Sequence, residues 1–213
     1  MGSGAKPRMT PIDLALVLAV DGSASVNYDE FGLIAGGMAS ALRDPTVVQG
    51  LLSGRRGASM LSLLLWSATG RQDIISNWTR IASEADLLAF ASEVENMPRT
   101  IPAGKTAIGE ALLASLTLLS RVPAVPDRSV VDVIGDGRSN DGIAPAPIRD
   151  RMVEADITIN GLCILREEPD LLAYYTEAVI GGPGHFAVTC ANFSDFTEAM
   201  RRKLIRETTG LVV

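Results

Sequence analysis

Leu14-Ala-Leu-Val-Leu-Ala-Val20, followed at once by Asp21-Gly-Ser-Ala-Ser25, is the stretch that decides the fold. An unbroken apolar run of strand length describes a strand covered on both faces, because a half-exposed strand would alternate apolar and polar side chains. The residues after it are small and polar, a loop by composition. Asp21, Ser23 and Ser25 stand two apart, so in an extended loop their oxygen-bearing side chains point the same way.

Outward from this stretch, Phe31, Ile34, Met38 and Leu42 recur at helical spacing. Asp44-Pro45 interrupts that helix, and a second helical piece runs to Leu52. Further strands are predicted over 59–66, 73–78, 130–134, 157–164 and 186–189, with the first two close enough to form a hairpin. Helical segments are predicted over 83–97, 106–119, 144–155, 169–179 and 193–207. Such alternation predicts an α/β, doubly wound fold: a mostly parallel six-stranded sheet with one antiparallel edge strand and helices on both faces. Residues 9–213 read as a single domain, and residues 1–8 as a leader or linker remnant outside the fold.

Composition narrows the function. The chain has 213 residues, 47% of them hydrophobic, enough for a sizeable core. With 25 acidic residues against 19 basic ones, a net charge of −6 and no basic run, it is not a nucleic-acid binder, since a phosphate backbone must be met by clustered Lys and Arg. No apolar stretch approaches the roughly 20 residues of a transmembrane helix.

In an open α/β sheet the site lies beyond the carboxyl ends of the strands, where the strand order reverses. The first strand delivers Asp21, Ser23 and Ser25 there. The strand over 130–134 is followed by Asp136, so the two carboxylates converge if these strands are neighbours across the switch point. Thr106, read as opening a helix after Gly104-Lys105, brings a third hydroxyl to the same rim. Carboxylates and hydroxyls without His or Cys form an all-oxygen set, the kind a hard cation such as Mg²⁺ takes at about 2.0–2.1 Å while keeping several waters. Asp and Ser at strand ends also serve as helix caps and turn formers. It is the joint occurrence of the three segments that favours the metal.

Asp21-Gly-Ser-Ala-Ser25 resembles the DxSxS segment of von Willebrand factor A domains. Thr106, in Ala103-Gly-Lys-Thr-Ala-Ile-Gly-Glu-Ala, resembles the lone threonine of that family, and Asp136, in Ile134-Gly-Asp-Gly-Arg-Ser-Asn-Asp141, its TDG segment. The resemblance spans residues 12–208 in the family's element order and is nearest to a bacterial branch. It implies a metal-ion-dependent adhesion site holding Mg²⁺ or Mn²⁺, with Ser23, Ser25 and Thr106 as direct ligands and Asp21 and Asp136 binding directly or through water. Two positions depart from the family pattern. Lys105 replaces a small residue and is expected to place a positive charge near the ion, and Gly135 replaces a Thr or Ser, removing a supporting hydroxyl.

Cys163 and Cys190 match no metal spacing and leave two readings open, buried thiols or one disulfide. In the family's strand order the strand over 157–164 lies beside the last one, which would bring the two within disulfide reach and suit a periplasmic or secreted protein, with the cytoplasm as the alternative. Asp132 interrupts an apolar strand, where an unpaired buried carboxylate would be costly, so it is expected to have a hydrogen-bond partner or to stand at an exposed end of the strand. His185, the only histidine, reads as a cap before the last strand, with no GxSxG elbow for a Ser-His-Asp hydrolase.

The functional expectation is a metal-dependent protein-binding module, not an enzyme, whose partner offers an Asp or Glu carboxylate to the ion. The alternatives are a Mg²⁺-dependent phosphoryl-transfer or hydrolytic enzyme, which would need a nucleophile or phosphate cradle that the sequence does not display, and a structural domain with a vestigial site.

Overall fold

The computed structural model describes residues 9–209, so the expected leader remnant lies outside the described residues. Its strands are β1 (Thr10–Asp21), β2 (Ser59–Trp66), β3 (Gln72–Ile81), β4 (Ala124–Gly135), β5 (Ile157–Ile164) and β6 (Ala187–Cys190). The helices are α1 (Tyr28–Leu42), α2 (Pro45–Leu52), α3 (Glu84–Glu95), α4 (Ile108–Leu119), α5 (Pro145–Glu154), α6 (Leu171–Tyr174) and α7 (Phe196–Thr209). One sheet runs in the order β3-β2-β1-β4-β5-β6; β3 pairs antiparallel with β2 and all other neighbours are parallel. The doubly wound α/β sheet with one antiparallel edge is therefore present.

The chain steps outward from β1 to β2 on one side and from β4 to β5 on the other, so the order reverses between β1 and β4. These strands pair directly, with Val20 opposite Ile134, which carries Asp21 and Asp136 to the same edge.

The pleat of β1 divides the core. Leu14, Leu16, Leu18 and Val20 pack under α1, α3 and α7, together with Phe31, Met38, Phe90, Phe196 and Met200. Ala15, Val17 and Ala19 face the α4 and α5 side, together with Trp66, Ile108, Leu112, Met152 and Tyr175. Helix α1 starts at a capping box: the Asn27 side chain accepts from the Glu30 amide, while Glu30 accepts from the Asn27 amide. Ser83 caps α3 as its sequence position implies, accepting from the Asp86 amide.

Several boundaries differ from the sequence reading. Strand β4 begins at Ala124 rather than Val130; its first half contains Pro126, paired with Ile12, and a proline inside a strand masks the pattern. Strand β3 extends past its expected end, with register irregularities between Leu61 and Leu64 of β2. The helix expected over 169–179 is a short α6 that widens into a π-helical turn at Tyr175–Val179. Helix α4 begins at Ile108, so Thr106 does not open it: Asn140 bonds both the Thr106 amide and its carbonyl, and Ser67 holds the next amide, which keeps the backbone out of the helix.

Asp132 finds its partner in Lys203 of α7; both side chains are wholly buried and form an ion pair. Glu207, one turn on, accepts from Arg128 at 3.1 Å and pairs with the Asn160 amide, so α7 is fastened to β4 and β5 by a buried polar cluster.

Cys163 and Cys190 are both free and buried, the thiol reading of the two that the sequence left open. Strands β5 and β6 are neighbours, but Cys163 is level with Thr189, and Cys190 with Ile164. An offset of one residue turns the two side chains to opposite faces. Cys163 lies in the core beneath α4 and α5, and Cys190 in the one beneath α7.

Candidate metal centre

Strand β1 runs out at Asp21, and the Gly22 amide is still held by the Trp66 carbonyl of β2 at 2.8 Å. The chain then turns tightly. Ser23 N–H donates back to Asp21 Oδ1 at 2.7 Å, and the Ser23 and Ser25 hydroxyls are 3.0 Å apart. Ser25 Oγ donates to Asp136 Oδ1 at 2.7 Å. Asp21, Ser23, Ser25 and Asp136 thus form one connected set at the switch point.

Thr106 is buried on the adjacent rim. Its hydroxyl lies 4.0 Å from the point where a Cβ on Gly137 would stand, and Glu168 Oε1 lies 3.6 Å from that point. The loop carrying Asp136 clasps Thr106: Asn140 Oδ1 accepts from the Thr106 amide at 2.9 Å, and the Asn140 amide donates to the Thr106 carbonyl at 2.8 Å. All five residues singled out in the sequence therefore gather at one end of β1 and β4.

Electrostatics at this spot favour a cation. Asp21 has no exposed surface, and its Oδ2 has no hydrogen-bond partner among the described residues. Burial first, and then the charge of Asp136, push its carboxyl up to about 7, against the bonds from Ser23 and the charge of Arg99. Asp136 is also raised, chiefly by burial, with Glu167 and Glu168 adding to it and the Ser25 bond opposing it. Among the described residues neither carboxylate has a salt bridge. Two buried carboxylates, three hydroxyls and one unpartnered acceptor fit a hard divalent ion in both donor chemistry and charge.

Lys105 stands next to Thr106 in the chain. Its ammonium is largely exposed and reaches toward Asp141, 4.0 Å away. The cation acting on Asp21 is Arg99, which sequence reading missed. Its Nη2 donates to the Gly22 and Ser23 carbonyls, each at 2.8 Å, and its guanidinium lies 5.2 Å from the Tyr28 ring centre and 5.8 Å from that of Phe31. Arg99 thereby fixes the backbone that presents Ser23 and Ser25. A lone arginine after Met97-Pro98 carries no local pattern that announces this. Tyr175 was missed for the same reason: its hydroxyl lies 2.9 Å from where a Cβ on Gly135 would stand.

The family model that matches, over residues 11–212, is described as protein of unknown function (DUF1194). No curated protein matches the chain. Among solved structures, it is similar to proximal thread matrix protein 1 from the mussel byssus with a zinc-occupied MIDAS motif, at 18% identity and a TM-score of 0.65, covering 92% of this chain and 48% of that one. It is also similar to the vWF domain of the type V pilus tip protein Mfa5 from Porphyromonas gingivalis, at 10% identity and a TM-score of 0.63, covering 93% and 96%. A third similar structure is manganese-loaded TRAP from Plasmodium vivax, at 17% identity and a TM-score of 0.58, covering 91% and 73%. The chain spans about half the length of the byssus protein. The sheet order, the switch-point site and these matches agree: the chain belongs to the family described as protein of unknown function (DUF1194), and its fold is that of the von Willebrand factor A domains.

Proposed function

We propose that the chain is a metal-ion-dependent protein-binding module, which engages an Asp or Glu carboxylate of a partner through Mg²⁺ or Mn²⁺ held by Ser23, Ser25 and Thr106, with Asp21 and Asp136 bound directly or through water. The observation that carries this reading is the buried pair Asp21 and Asp136, bridged by serine hydroxyls, with one Asp21 oxygen unpartnered. When bound, the ion supplies a Lewis-acidic position that accepts one more carboxylate oxygen. Ser23 and Ser25 contribute neutral oxygens, so the cation keeps much of its charge. Arg99 holds their loop, and the Asn140 clasp holds Thr106 against it. A zinc-occupied MIDAS motif in one similar structure and the manganese loaded in another support a divalent ion here.

The enzymatic alternative draws no support from the site. The serine hydroxyls are engaged with each other and with Asp136, and among the described residues no histidine stands beside them. His185 sits ahead of β6, at the amino-terminal end of the parallel strands and away from the site, bonded to the Gly182 carbonyl. A periplasmic or secreted location remains part of the proposal. It rests on the likeness to a byssal thread protein and a pilus tip protein, and no longer on a disulfide. Among the described residues no helix is long and apolar enough to cross a membrane.

Calorimetric titration with Mg²⁺ and Mn²⁺, beside the Asp21→Asn variant, tests the reading. The parent chain should bind one ion and Asp21→Asn none, with an unchanged circular dichroism spectrum. Affinity purification with Mg²⁺, or with chelator, should retain a partner only with the ion and only on the parent chain. Equal ion binding by both proteins would remove these residues as ligands.

A further inference from the structure

The structure leaves two polar atoms orphaned around one point. Tyr175 is fully buried and its hydroxyl has no hydrogen-bond partner among the described residues; the same holds for Asp21 Oδ2. Both flank one point, the place where a side chain on Gly135 would begin, at 2.9 Å from the phenol oxygen and 3.1 Å from the carboxylate oxygen. The phenol is held firmly: its ring packs on Gly161 of β5, and it opens the π-helical turn, where its carbonyl accepts from the Ile180 amide at 2.9 Å. A buried hydroxyl and a buried carboxylate are each costly alone and complementary together, one the donor and the other an acceptor.

We infer that Tyr175 is the positioning residue for Asp21, a phenol O–H directed at Oδ2 that takes the place of the hydroxyl Gly135 cannot supply. The inference rests on the metal-binding reading of the same site. Gly135 follows from it, because any side chain there would collide with the phenol. The hydroxyl comes from the turn after β5 instead of from β4, and the glycine is the space it needs. A donor on Oδ2 holds the carboxylate in one rotamer without adding a charge that would repel the ion. Partners of this kind are worth ten- to a hundredfold in metal affinity where they have been removed.

The test is Mg²⁺ and Mn²⁺ calorimetry on Tyr175→Phe, which keeps the ring and removes only the oxygen. Affinity should fall about tenfold or more. The double variant Gly135→Ser/Tyr175→Phe, which returns a hydroxyl from the strand side into the vacated space, should recover most of it. A purely packing role for Tyr175 predicts neither the loss nor the rescue, and a Tyr175→Phe affinity equal to the parent's overturns the inference. A second measurement, on metal-free protein at pH 8, stands apart from the metal. A phenol bonded to Asp21 makes Tyr175→Phe melt lower, whereas a phenol with no partner makes it melt at the same temperature or higher. Should the parent bind no ion, the metal reading falls, and this melting comparison alone decides the contact: a lower melting temperature upholds it, an equal or higher one ends it.

Discussion

Burial and the nearby Asp136 favour the protonated form of Asp21, whereas the Ser23 bonds and the Arg99 charge favour the ionised one; the balance sets its carboxyl at about 7 against an ordinary 3.8. A raised folded value means that the metal-free fold binds a proton the unfolded chain releases. Its stabilisation is complete below about pH 4 and is lost as pH rises through about 7, an effect on the order of 4 kcal/mol at 1.36 kcal/mol per unit. A divalent ion displaces that proton, so the rise in melting temperature on adding Mg²⁺ should be larger at pH 8 than at pH 6. Scanning calorimetry at the two pH values checks this, and a larger rise at pH 6 would contradict it. Lys105 gives a contrasting case. Sequence alone suggests that removing it should tighten ion binding several-fold, but its side chain is exposed and turned to Asp141. An exposed charge contributes little, so Lys105→Gly should leave ion affinity within about twofold of the parent by calorimetry. The two cysteines complete the residue scale. Burial pushes the Cys163 thiol up to about 12 and that of Cys190 to about 11, so neither presents a thiolate at neutral pH. The native protein should resist alkylation at pH 8 and yield two reactive thiols once denatured, as mass spectrometry reads directly.

The elements differ in how plainly the sequence announces them. β1 contains an unbroken apolar run and β2 and β5 are mostly apolar, and burial on both faces is what such strands describe. The first half of β4 contains Pro126, Asp127 and Arg128 and reads as a loop until β1 is seen beside it. The buried lysine of α7 is illegible for a related reason. Phe196, Met200 and Leu204 mark the apolar stripe, but Lys203 on the same buried side would be an error of patterning without Asp132 of β4 opposite it. Of the candidate site, Asp21, Ser23, Ser25 and Asp136 were legible because they stand at or just after the ends of β1 and β4, and Thr106 because it stands just before a helix. Arg99 and Tyr175 were not, since only tertiary convergence gives them a role. Breaking the α7 pair should be costly: Lys203→Met leaves Asp132 buried and uncompensated and should destabilise the fold by about 3–5 kcal/mol. Lys203→Met/Asp132→Leu should recover much of that loss in urea unfolding. A single variant as stable as the parent would show that water reaches Asp132.

At the scale of the whole molecule, the two arms of the site lie far apart in the chain, at Asp21 and Asp136, and meet only when β1 and β4 are paired along their length. Trp66 stands level with Asp21 on the neighbouring strand, on the same side of the sheet, fully buried. Parallel neighbours are about 4.8 Å apart, so the indole stands next to the carboxylate whose charge changes when an ion arrives. The protein therefore carries its own optical probe at the junction of its two halves. Trp78, the other tryptophan, is on edge strand β3 and donates to the Leu118 carbonyl instead. Adding Mg²⁺ should alter emission in the parent and in Trp78→Phe, and leave it unchanged in Trp66→Phe. During refolding, that ion-dependent light should appear only in molecules whose central strands have joined, which would make the candidate site a spectroscopic clock for this long-range step of assembly.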